Sequence, residues 1–114
     1  MFDRNLAHAV RERLFGGEGA VRVWALTANP APPFTAVLAC ELDATGSVGA
    51  HVQEQYPEIV VAISGHGSVQ VDGAPRPFLA GGVVELPLGS TLAIVNGSAT
   101  EPLRYLIIKA QAAR

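Results

Sequence analysis

The feature that most constrains this chain is its rhythm from Gly19 onward. Short runs rich in β-branched and aliphatic residues alternate with turn signals every eight to twelve residues. Val21–Thr27, Phe34–Leu42, Val52 after His51, Ile59–Ser64, Ser68–Val71, Phe78–Ala80, Val83–Leu86, Thr91–Val95 and Leu103–Lys109 read as strands. Between them lie Asn29–Pro33, the Asp-Ala-Thr-Gly turn, Gly65-His66-Gly67, the hairpin pair Asp72-Gly73 and Pro87-Leu88-Gly89. Such a pattern specifies an all-β sandwich or barrel. Upstream, Leu6, Val10 and Leu14 recur every four residues behind a candidate N-cap, Asp3, and ahead of Gly16-Gly17. That spacing predicts one α-helix over residues 3–15, packed on the barrel or on a partner, with His8 on its solvated side. The expected organisation is a lead-in over 1–18 and a single β-domain over 19–114.

A chain of 114 residues supports one core. Charged residues make up 16% against 49% apolar, well under the roughly 25% charged fraction of ordinary domains. IVVAI at 59–63 and YLII at 105–108 are apolar on both strand faces. One face fills a barrel and the other needs a cover, so a homodimer is expected. The net charge of −2 with scattered basic residues gives no footprint for nucleic acid. No apolar run approaches a membrane span, and the arginine-bearing N-terminus lacks a signal-peptide pattern. A single cysteine, Cys40, excludes an internal disulfide and fits a cytoplasmic location; in a strand it reads as a small core residue.

The stretch Gly46–Gly65 carries the chemistry. His51 and Gln53 share one face of an extended segment, and Glu58 follows just before a strand apolar on both faces. A buried carboxylate needs partners or a proton, so the three polar groups form either a ligand-binding site or a hydrogen-bonded cluster. Farther on, Gly81, Pro87, Gly89 and Asn96 form a second spaced set. His66, between two glycines, reads as exposed, and Asn96, before Gly97, as structural.

These two patterns resemble those of a small single-domain cupin of the conserved-barrel type. The first family motif, a glycine, His-x-His, a glutamate and a glycine, appears as Gly46, His51, Gln53, Glu58 and Gly65. Gly46 lies one residue nearer His51 than is usual. The second, a glycine, Pro-x-Gly, His and Asn, matches Gly81, Pro87, Gly89 and Asn96 at every spacing, with Leu92 in the histidine position. The resemblance covers about residues 34–109 and implies a double-stranded β-helix, the jelly-roll barrel.

In metal-dependent members, three histidines and the glutamate hold the ion. Here the equivalents are His51, Gln53, Glu58 and Leu92. Leu92 offers no lone pair, and an amide oxygen is a weak ligand for first-row ions. The resemblance therefore implies a degenerate site. His51, Gln53 and Glu58 would hold Mn, Fe, Ni or Zn only weakly, and with Leu92 they would line a pocket for a small organic ligand with one polar end. Two alternatives stand beside that reading. One is a metal-dependent isomerase- or dioxygenase-like enzyme using the reduced site, or His51 or Glu58 acting as a metal-free general base. The other is a structural or regulatory dimeric module.

Overall fold

A computed structural model describes residues 1–113. Ten strands run in chain order: β1 Ala9–Glu12, β2 Ala20–Ala25, β3 Phe34–Leu42, β4 Ser47–Val52, β5 Glu58–Ser64, β6 His66–Val71, β7 Ala74–Leu79, β8 Val83–Leu86, β9 Thr91–Asn96 and β10 Leu103–Ala110. They form two antiparallel sheets, one ordered β1-β2-β3-β10-β5-β8 and the other β4-β9-β6-β7. The alternation of each strand drives the closure. On β3, β5 and β10 one side chain in two (Cys40, Leu42; Val60, Ala62; Leu103, Tyr105) enters a core completed from the smaller sheet by Val48, Val69, Leu92 and Ile94. Burying each such aliphatic side chain contributes on the order of 1.5–3 kcal/mol. The result is the jelly-roll barrel that the strand rhythm and spaced motifs predict.

Turn chemistry fixes the register. The reversal at Gly65 needs φ of +86°, and a Cβ there would lie 2.5 Å from Pro102 O, so only glycine fits. Asn96, at the end of β9, clasps three loops. Its Nδ2 lies 3.3, 3.0 and 2.9 Å from the carbonyls of Leu42, Asp43 and Glu101. Its Oδ1 accepts from Ser98 N at 2.9 Å. The structural reading of Asn96 holds.

The helix expected over residues 3–15 is not formed. Residues 9–12 instead extend the larger sheet, with Ala9, Val10, Arg11 and Glu12 opposite Val23, Arg22, Val21 and Ala20. A single 3-10 turn at Leu14–Gly16 follows, with left-handed backbone at Arg13 (φ 50°) and Phe15 (φ 52°). The physical reason is visible in burial. Leu6 and Val10 stay 57% and 48% exposed and only Leu14 packs against the core, so the i, i+4 stripe does not act as one buried face. Pairing with the free edge of β2 satisfies the backbone instead.

Residues 2–8 lie across the outer face of the larger sheet. The Trp24 indole Nε1 donates to Asp3 O at 2.9 Å. Phe2 meets the indole edge-on at a 6.0 Å centroid distance, and the His8 ring lies 4.9 Å from it. His8 is therefore packed on Trp24 rather than solvated on a helix. Arg4 Nη2 reaches Glu41 Oε1 at 2.6 Å, and Arg104 Nε reaches Glu41 Oε2 at 2.8 Å. Burial alone would raise the Glu41 pKa; hydrogen bonds from Arg104 and Arg4 overcome it and hold the carboxyl below its ordinary value.

Candidate functional site

A cavity of about 570 Å³ opens between the two sheets, and His51, Gln53, Glu58 and Leu92 all line it. β4 delivers His51 near its end, directly opposite Leu92 of β9. Gln53 follows the strand and is anchored by backbone: its N–H donates to Ser90 O at 2.9 Å, and its carbonyl accepts from Gly89 N at 2.8 Å. The Pro-x-Gly turn thus positions a site residue. Glu58 opens β5 across the barrel, opposite Lys109 of β10.

The polar groups form one connected edge. The His51 ring donates from Nδ1 to Gly49 O at 3.0 Å and accepts at Nε2 from the Gln53 amide at 3.4 Å. Lys109 Nζ stands 3.9 Å from Glu58 Oε2. Burial raises the Glu58 pKa, and the Lys109 charge and the Gln53 amide act against it. Burial, with the Glu58 charge, pushes the Cys40 thiol up to about 12. Tyr105, buried beside Cys40, is raised well above its ordinary value by desolvation and by the charges of Cys40 and Glu58. The rest of the lining is largely apolar and comes from both sheets, Val48, Leu92 and Ile94 from the smaller and Leu38 and Ile107 from the larger.

The donor set does not fit a tight first-row metal centre. His51 is the single imidazole on the cavity, Glu58 stands beside the Lys109 ammonium, and Leu92 fills the place facing His51. Among the described residues no three His, Cys, Asp or Glu side chains converge. Such an ion prefers several imidazole, thiolate or carboxylate donors, and of the four motif positions only His51 and Glu58 offer one.

Several lining residues lie beyond the motif. Cys40 faces the cavity from β3, and Tyr105 and Lys109 from β10. A period-2 reading of β10 outward from buried Leu103 puts Tyr105, Ile107 and Lys109 on the inner face, so a lone lysine in an apolar strand was an available signal. Arg11, Leu14 and Phe15 reach the rim from the N-terminal segment, and Glu54, Gln55 and Tyr56 from the loop after β4. Phe15 had no sequence signal, because the strained turn that carries it follows from tertiary contacts. His66 is exposed at the start of β6, as expected, and does not line the cavity.

No family model matches the chain, and no curated protein matches it. Solved structures do. A cupin 2 conserved barrel domain protein from Salinispora arenicola is 34% identical, with 81% of this chain and 76% of that one covered and a TM-score of 0.67. A predicted oxalate decarboxylase from Thermotoga maritima superposes at TM-score 0.84 over 91% of each chain, at 24% identity. KdgF from Halomonas sp. superposes at 0.67 over 80% of this chain and 79% of its own, at 14% identity. The chain belongs to the cupin family, as a small single-domain conserved barrel. Among the described residues no helix is long and apolar enough to cross a membrane.

Proposed function

We propose that the barrel binds a small organic ligand without a tightly held metal. One observation carries the reading: a 570 Å³ cavity whose largely apolar lining is interrupted by His51, Gln53, Glu58 and Lys109. Its size and mixed lining are those of small-molecule sites. An apolar body against Leu92 and Ile94, with a polar end toward Gln53 and Glu58, would satisfy both kinds of lining. Thermal-shift screening with small acids, sugars and phenolics tests it, with stabilisation by at least one class expected at millimolar ligand. No shift from any class sinks the reading.

A second reading, a weakly metal-dependent enzyme, is favoured by His51, Gln53 and Glu58 facing one cavity and by relatives that include a protein named as a predicted oxalate decarboxylase. Elemental analysis of untagged protein, with titration of Mn, Fe, Ni and Zn into wild type and His51→Ala, separates the two. Near-stoichiometric metal that His51→Ala loses makes the enzyme the leading reading.

We also propose a homodimer. Ile59, Val61, Ile63, Val83, Leu106 and Ile108 lie on the outer face of the larger sheet, and Ile59, Ile63 and Val83 are 38%, 37% and 58% exposed. Light scattering showing only an 11.9 kDa species at micromolar concentration would exclude it. A cytoplasmic location is proposed on the single buried free thiol.

A further inference from the structure

Phe15 is held where ordinary packing would not put it. Its ring stacks on His51 at a 4.1 Å centroid distance and 10° between planes, yet the residue stays 57% exposed. The arrangement uses left-handed backbone at Arg13 and Phe15, two non-glycine residues for which that conformation is unfavourable. It also needs bare backbone beneath it. A Cβ on Gly49 would lie 1.9 Å from Phe15 O, and one on Gly17 would lie 2.1 Å from Ser47 O. A side chain stabilising the fold by burial would be hidden; this one stays largely exposed while lining the cavity. Tyr56, 37% exposed, lines the same cavity from the loop after β4.

We propose that Phe15 is the selectivity element of the cavity: stacked on His51, it is a fixed π surface on which a flat, ring-bearing ligand lies. The polar substituent of that ligand then points toward Gln53 and Glu58. Two π faces in parallel contact recognise a third planar ring better than a saturated ring of the same size, because a saturated ring cannot stack flat. The stack on His51 places the Phe15 ring before the ligand arrives, which limits the side-chain entropy lost on binding. The ligand class is thus small aromatic compounds carrying a hydroxyl or carboxyl group. The inference rests on the ligand-binding reading above and narrows it.

Matched probe pairs test it: benzoate against cyclohexanecarboxylate, and phenol against cyclohexanol, titrated into wild type, Phe15→Leu and Phe15→Tyr by NMR. The aromatic member of a pair should bind wild type about 2- to 12-fold more tightly, the range expected of one aromatic stack. The preference should vanish in Phe15→Leu and persist in Phe15→Tyr, whose spectra also report that the barrel is intact. Equal binding of both members to wild type overturns the role of Phe15 and leaves the ligand pocket standing. A preference that survives in Phe15→Leu also overturns it. Binding of neither member, up to millimolar concentration, overturns this inference and counts against the pocket itself. A mass change in Phe15→Leu by light scattering, with the ligand preference unaltered, assigns the ring to a subunit contact and overturns the proposal.

Discussion

Asn96→Ala is expected to be among the most damaging substitutions outside the cavity. The Asn96 amide serves the carbonyls of Leu42, Asp43 and Glu101 at 3.3, 3.0 and 2.9 Å and accepts from Ser98 N at 2.9 Å. It thereby ties the end of β3 to the segments on either side of the β9–β10 connection. A typical hydrogen bond contributes about 1 kcal/mol net, and a buried partner left unpaired costs about 1–3 kcal/mol. Losing the clasp should therefore cost about 3 kcal/mol, a large share of the roughly 5–15 kcal/mol stability of a domain. At about 3–5 °C per kcal/mol for this size, the midpoint should fall by about 10 °C. Urea and thermal unfolding followed by far-UV circular dichroism read both quantities. Asn96→Asp sharpens the test. It keeps an acceptor for Ser98 but turns an oxygen toward three carbonyls, so it should be at least as destabilised as the alanine variant. A loss under about 1 kcal/mol in Asn96→Ala, or an Asn96→Asp protein more stable than it, would refute the donor-clasp argument.

Four further outcomes are expected. Glu41→Gln should cost about 1–3 kcal/mol at pH 7 by removing charge-assisted bonds to Arg4 and Arg104. Because the folded carboxyl sits below its ordinary 4.5, the wild-type advantage is present above that pH and is lost as pH falls through the folded value; urea midpoints from pH 7 to 3 would show it. For Glu58 the sign reverses. Burial raises its folded pKa above 4.5, so its contribution is full below that value and declines as pH rises through the folded one, and Glu58→Gln should flatten that decline. Cys40, buried and pushed up to about 12, should resist a disulfide reagent at pH 8 in native protein and react promptly in urea. Placing imidazoles at both departures, Gln53→His with Leu92→His, should raise Zn or Ni affinity at least about tenfold by calorimetry; equal affinity in wild type would show that those positions do not limit the site.

Much of the barrel was legible because its constraints are local. The strands Phe34–Leu42 and Val83–Leu86 coincide with the runs read from composition alone. The motif glycines at 65, 81 and 89 all take positive φ. His51 and Leu92 meet because they are cross-strand neighbours on β4 and β9. The register shift between Val48 and His51 keeps both of those β4 residues on the inner face; Gln53 follows on the same face and Glu58 enters from β5. The N-terminal segment was misread because its four-residue spacing is a local signal and its fate is a tertiary one. Leu6 and Val10 find no apolar surface, and the open edge of β2 offers backbone partners instead. The stack of Phe15 on His51 was invisible for a related reason. It depends on left-handed residues that no propensity favours and on Gly17 and Gly49 admitting the turn, a juxtaposition known only once β4 is in place.

The clamp around Trp24 has a consequence for anyone following the protein by fluorescence. The chain has one tryptophan. Its indole is 2% exposed and is held by Asp3, Phe2 and His8, while the barrel core lies on the other side of the sheet. Emission from that indole therefore reports on whether residues 2–8 are docked, a small and separable part of the molecule. Denaturation followed by tryptophan emission should begin before the loss of β-sheet ellipticity. The gap between the two curves would measure how much of the stability belongs to the docked segment rather than to the barrel.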